Sequence, residues 1–220
     1  MTNQAPSLGL DPGGDSSLGN VFRFILRKFL QEVDDMMPAT VLAVTADRYY
    51  VTAQPNIMVL GTDGSLTGRA AVAKIPLLNL GAGGFLLSFP VKNGDQGWIK
   101  ASDRDISIYM QKQAPAGPNT NRLHSFEDGV FIPDIVRTWA LAKEDAANAV
   151  WQSADGTIKI TMGLDQIKIL HPKKVLIDTP LLECTGTIQG DVDVLSGPSK
   201  ISGKGHTHPV SGSETGAPNA

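Results

Sequence analysis

Two histidines close to the C-terminus, in Gly205-His206-Thr207-His208-Pro209, are the residues whose type and spacing could do chemistry. In extended backbone, residues i and i+2 face the same way, so His206 and His208 project from one side of the chain. Two imidazoles alone make a poor metal site. Three such pairs around a threefold axis supply six nitrogens, a complete octahedral set. Imidazole suits iron, nickel, copper and zinc, whereas six-fold geometry disfavours a tetrahedral structural zinc, so ferrous iron is the expected ion. With every position filled by protein, no site remains for water or substrate, and the ion is expected to be structural rather than catalytic. His124 and His171 show no comparable pairing and read as ordinary polar contacts.

Other constellations carry less. Gly81-Ala82-Gly83-Gly84 precedes a strand-like segment rather than a helix, so no helix N-terminus waits for a phosphate, and barrel bends or bulges explain it better. Asp34 and Asp35 are neighbours at a helix end and cannot face each other. Asp103 and Asp105 are expected on one strand face with Arg104 opposite. A paired-carboxylate glycosidase needs two acids with separated pKa values, and nothing in the sequence marks such a pair. Cys184 has no basic neighbour in Glu183-Cys184-Thr185 and reads as a small buried hydrophobe. No enzymatic activity is expected.

Composition narrows the classes further. The 220 residues carry a net charge of −3 and only 6% aromatics, too little of either cation or ring for phosphate neutralisation and base stacking, so nucleic acid is not an expected partner. Residues 1–19 combine neither a cationic start nor an apolar stretch, so no secretory signal is expected. The most apolar helical segment is interrupted by Arg23, Arg27 and Lys28 and does not read as a membrane span.

The elements that must position the histidines follow from periodicity. Strand-like segments fill the last third: 157–162, 166–169, 174–178, 182–185, 187–190 and 191–194, each alternating apolar and polar residues. The chain supplies no second layer for the apolar stripe of residues 157–194. One copy would leave that stripe and its strand edges open; three copies wound about one axis would cover both. An intertwined trimeric β-helix is therefore expected, with a one-chain solenoid as the weaker alternative. Upstream, 1–37 reads as an arm followed by a helix, capped by Ser16 or Ser17 and ended by Pro38. Its apolar positions Phe22, Leu26, Phe29, Val33 and Met36 recur at 4-3-4-3, a seam that suits either self-association or packing on its own domain. Residues 38–112 show short strands (40–44, 49–53, 57–60, 71–73, 85–87 and 97–100) and a hairpin loop at 61–65, the pattern of a five-stranded barrel of the OB type. Residues 113–150 read as a connector, 151–205 as the β-helix shaft, and 206–220 as the metal-binding apex and tail. The fold class expected is all-β with an N-terminal helix.

Three stretches carry a family resemblance: Phe89-Pro90-Val91-Lys92-Asn93-Gly94-Asp95-Gln96-Gly97, Ser102-Asp103-Arg104-Asp105-Ile106, and Arg122-Leu123-His124-Ser125-Phe126-Glu127-Asp128-Gly129 with Ile132-Pro133. They resemble the N-terminal domain of the central, membrane-piercing spikes of contractile phage baseplates, over about residues 16–135. The resemblance implies a virion protein at the tail baseplate tip, made in the host cytoplasm. It implies an OB-fold collar that docks with the arm on a baseplate hub protein, a homotrimeric β-helix, and an apex where histidines of three chains hold iron. It also implies penetration of the host outer envelope, with no lytic activity and no small-molecule substrate. The Arg122–Gly129 stretch would sit where collar meets shaft, in a structural role. Residues 211–220 follow the histidines, a departure that requires the tail to fold back if the tip is sharp. A trimeric tail fibre or adhesin binding a surface receptor is the alternative.

Overall fold

The computed structural model describes residues 17–61, 64–136 and 138–190, and the backbone of 195–196, 201–202, 209–210 and 213–214. Two compact units divide the chain, residues 1–172 and 173–220.

In the first unit, Ser17 caps the helix α1 (Leu18–Glu32), its side chain accepting from the Asn20 amide, as the sequence predicts for a Ser at that place. The helix ends at Glu32, earlier than the expected stop at Pro38. The cause is tertiary. The Asp34 amide donates to the His124 carbonyl at 3.0 Å, and the Asp34 carboxylate accepts from Arg69 Nη1 at 2.9 Å. These bonds pull the chain into extended backbone, and Met36 and Met37 open a strand instead of closing the helix.

The chain continues through β1 (Met36–Val44), β2 (Tyr50–Pro55), the hairpin β3 (Val59–Leu60) and β4 (Leu66–Thr67), then β5 (Val72–Pro76). A second hairpin, β6 (Leu80–Ala82) and β7 (Phe85–Leu87), precedes β8 (Gln96–Ser102), the short helix α2 (Ser107–Lys112) and β9 (Ser125–Pro133). Five of these strands form one antiparallel sheet, in the order β5-β2-β1-β8-β9. A parallel bridge between Leu77 and Phe131, with the Leu78 amide donating to the Phe131 carbonyl at 2.8 Å, brings the two edges together. The result is a nearly closed, barrel-like sheet. Pro38 is accommodated because β1 pairs there only with β8; its pairing with β2 begins one residue later, at Ala39.

The core follows from strand alternation. Val41, Val51, Ile75, Ile99 and Phe131 are fully buried, each on the inward face of its strand. Phe131 lies over Gly97, where an added Cβ would come within 2.5 Å of the ring and 2.4 Å of the Ile132 carbonyl oxygen. Glycine at 97 is thus required by close approach.

Two sequence expectations are corrected. The segments 57–60 and 85–87 belong to the two separate hairpins, not to the barrel, and Gly83 and Gly84 (φ +60° and +86°) form the tight turn of the second rather than a barrel bend. The fifth barrel strand is β9, in the stretch read as connector. Its interior Asp128 and Gly129 disguise the strand pattern, and both are explained locally. Asp128 is buried against Arg122, and a Cβ at 129 would lie 2.7 Å from the Lys100 carbonyl oxygen.

After β9 come a 3-10 turn at Lys143–Asp145 and a three-stranded antiparallel sheet of β10 (Ala149–Gln152), β11 (Lys159–Met162) and β12 (Ile167–Leu170). The last two correspond to predicted strands; β10 was not predicted.

In the second unit, residues 173–190 form no strand, so the expected strands 174–178, 182–185 and 187–190 are not formed within one chain. Val175, Leu176, Ile177, Leu181, Leu182 and Ile188 are exposed. Cys184 is exposed as well, which corrects the buried reading: its segment has no covering layer among the described residues. The expected strand 191–194 lies outside the described residues. Two short antiparallel ladders follow, β13 (Leu195–Ser196) with β14 (Ile201–Ser202), and β15 (Pro209–Val210) with β16 (Ser213–Glu214).

Candidate functional site

The three-stranded sheet has its chemistry inside out. Register places Ala149, Met162 and Ile167 in one cross-strand row and Trp151, Ile160 and Ile169 in the next. Residues opposite each other share a face, and alternate residues along a strand do too. One face is thus entirely apolar. It is also the open one, with Trp151 55%, Ile167 70% and Ile169 56% exposed.

The opposite face carries Val150, Gln152, Lys159, Thr161, Lys168 and Leu170, and its centre is covered, with Lys159 at 9% and Thr161 at 6% exposure. The connector does the covering. Its 3-10 turn supplies Asp145, which forms a buried ion pair with Lys159, and the Ala140 carbonyl accepts from Gln152 Nε2. A buried ammonium is tolerable only with such a partner. The chain satisfies the centre of this face only in part: Lys159 is paired, whereas Gln152 Oε1 and Thr161 Oγ1 are buried without a hydrogen-bond partner. Beside the sheet, Trp139, Leu141, Val150 and Trp151 help to line a cleft of about 400 Å³.

A second cluster anchors the start of β9. Arg122 reaches three carboxylates: Nε is 2.9 Å from Asp128, Nη1 2.7 Å from Glu127, and Nη2 3.6 Å from Asp105. Asp105 and Asp128 are buried, and the fork geometry of guanidinium matches paired carboxylate oxygens. Asp105 also accepts from the Ser107 amide at 2.8 Å and the Thr120 hydroxyl at 2.7 Å. The Ser107 amide, the Thr120 hydroxyl and Arg122 hold its carboxyl well below the usual carboxylate range. In the other direction, Asp128 chiefly, then Asp105 and Glu127, raise the Arg122 pKa. The cluster closes the loop between β8 and β9. Since β8 ends at Ser102, Asp103 and Asp105 do not share a strand face as expected; Asp105 turns inward and Asp103 stays exposed.

Asp34 and Asp35 separate in the way their adjacency requires. Asp34 pairs with Arg69, Asp35 with Lys100, whose ammonium holds the Asp35 carboxyl below its ordinary pKa. His124 contributes its carbonyl to Asp34, and its Nδ1 lies 3.8 Å from Asp103. Among the described residues, no group of three or more His, Cys, Asp or Glu side chains is placed to hold a metal ion. His206 and His208 lie outside the described residues. The residues that follow them do bear on the tail: Pro209 pairs with Glu214 and Val210 with Ser213, so the chain reverses direction just past the histidines. No described helix is long and apolar enough to cross a membrane.

No curated protein matches the chain. Residues 37–134 match the family model of the phage protein Gp138 N-terminal domain. That interval begins inside β1 and ends just past β9, and so covers the whole barrel-like sheet. The match, over a mostly β chain, supports a phage structural protein with a role in the virion.

Proposed function

We propose that the protein is the central spike at the tip of a contractile phage baseplate, a homotrimer that pierces the host envelope when the tail contracts and catalyses no reaction. One observation carries this reading: the three-stranded sheet buries Lys159 and Thr161 at the centre of one face and leaves Trp151, Met162, Ile167 and Ile169 exposed on the wholly apolar other. Apolar surface of this kind costs about 25 cal/mol per Å² while it faces water. A further copy of the same face is the natural cover, because identical chains present identical stripes.

The strand-free residues 173–190 support the same reading. Their apolar side chains are exposed and their backbone forms no ladder within the chain, as strands that pair between chains would require. An intertwined β-helix would then resist axial load, since no chain could separate without breaking many hydrogen bonds together. The strand order β5-β2-β1-β8-β9, closed by a parallel contact, supports an OB-type collar, the part that would dock with the arm on a baseplate hub. At the apex, His206 and His208 of three chains would hold one structural iron ion, and its binding free energy would become assembly free energy. The reversal at residues 209–214 supports a tail that folds back from such an apex.

Sedimentation with elemental analysis of the purified full-length protein tests the proposal. Three chains and one metal ion per particle are expected. A His206→Ala, His208→Ala variant should lose the metal and stay trimeric, whereas Ile167→Lys, Ile169→Lys should open the shaft, read as faster limited proteolysis within residues 157–190. A wild-type protein that stays monomeric in dilute solution defeats the spike. The tail-fibre reading has one observation in its favour, the cleft between Trp139 and Trp151; saturable binding of a host surface glycan that Trp139→Ala removes would favour it instead.

A further inference from the structure

The helix α1 offers a surface that belongs to neither sheet. Leu18, Phe22, Ile25, Leu26, Phe29 and Leu30 fall within roughly 140° of its circumference at 3.6 residues per turn. Each is between 55% and 73% exposed. Arg23 and Arg27 lie outside this arc. A helix of 15 residues is marginal by itself in water, so this one needs a cover for its apolar arc. Among the described residues, packing on its own domain, one of the two options the sequence leaves open, does not supply that cover.

The kind of cover is written in the spacing. Within the helix Phe22, Leu26 and Phe29 keep the 4-3 spacing that sets one helix against another identical one, while Val33, the next position of the expected seam, lies past its end in extended backbone. Leu18 and Ile25 flank the seam on one side and Leu30 on the other. A face widened in this way suits a bundle of several helices better than a two-stranded coil. The exposed arc amounts to on the order of 700 Å² per chain, close to the ~800 Å² that each partner contributes to a stable specific interface. A helix lying on lipid would need apolar area and cationic flanks but no heptad register.

We propose that α1 packs against α1 of further copies of this chain, a second assembly element at the opposite end of the sequence from the histidines. Only the number of helices, three, rests on the spike reading. The consequence is that the collar end is held together independently of the shaft.

Cysteine cross-linking of the full-length protein tests it. In a Cys184→Ser background, Phe29→Cys places a thiol on the seam and Arg27→Cys places one outside it. Mild oxidation at dilute protein should convert Phe29→Cys chains into disulfide-linked pairs at least tenfold faster than Arg27→Cys chains. Equal rates, or a faster Arg27→Cys, overturn the proposal. So does flotation with phosphatidylglycerol vesicles that Phe29→Glu abolishes, which would assign the arc to lipid. Sedimentation of the wild-type protein separates the two readings. Three chains without Phe29→Cys cross-linking removes the helix bundle and leaves the spike, while rapid cross-linking in a particle of any other size keeps the bundle and removes the threefold spike.

Discussion

The two sheets of the first unit solve the same problem in opposite ways. In the barrel-like sheet the apolar rows turn inward, and Val41, Val51, Ile75, Ile99 and Phe131 bury one another within a single chain. In the sheet of β10–β12 the covered face is mixed, with Lys159 held by Asp145 and Thr161 at its centre, and the wholly apolar rows Ala149–Met162–Ile167 and Trp151–Ile160–Ile169 lie on the other face. Both are antiparallel and both alternate. The difference lies in what closes them: curvature and a parallel edge contact in one, and no cover for the apolar rows among the described residues of the first unit in the other. A sheet that closes on itself can be complete alone. A small open sheet with an apolar outer face cannot.

Substitutions in the two regions should separate accordingly. Phe131→Ala removes a fully buried ring and should cost about 3–5 kcal/mol of unfolding free energy, read from denaturant melts followed by far-UV circular dichroism. Lys159→Ala strands Asp145 in a buried site and should cost about 3 kcal/mol, with a Lys159→Met, Asp145→Leu double variant recovering most of it. A full cost in the double variant would mean that packing, not the ion pair, holds the connector on the polar face.

A pH series probes the barrel's polar anchor. The Asp105 carboxyl is depressed in the folded chain, so its contribution is complete above the ordinary Asp pKa of about 3.9 and is lost as pH falls below that towards the folded value. Asp35, Asp47 and Asp155 shift the same way. Unfolding midpoints should therefore fall below about pH 4, and Asp105→Asn should flatten part of that decline. A variant whose acid limb is unchanged would show that Asp105 has no share in it. The smallest effect belongs to the exposed face. Ile169→Ala should change the unfolding of the single chain by less than about 0.5 kcal/mol, the usual range for surface sites, while weakening assembly measured by sedimentation. A large loss in the single chain would mean that the face is already covered there.

Much of the barrel was legible in the residues. Alternation marks β1, β2, β8, β11 and β12, and Ser17 marks the helix start. Two strands escaped in the stretch around the connector: β10, although Val150 and Trp151 suit a strand, and β9, which carries residues foreign to strands. In β9, Asp128 and Gly129 make sense only once Arg122 and the Lys100 carbonyl are seen beside them. The end of α1 escaped too, because the hydrogen bond from Asp34 to His124 spans a sequence distance that no local signal reports. The site divides along the same line. The apolar stripe of residues 157–190 is visible as a pattern, but a pattern does not say which face a chain will bury.

The sequence alone determined the alternation of apolar and polar residues, the cap and seam of α1, and the paired histidines, since each depends on neighbours a few residues apart. The tertiary structure decided where α1 stops, that residue 131 fills the space left by glycine at 97, and that β10–β12 turn their apolar face outward. Those outcomes depend on groups distant in sequence competing for the same space and the same hydrogen bonds.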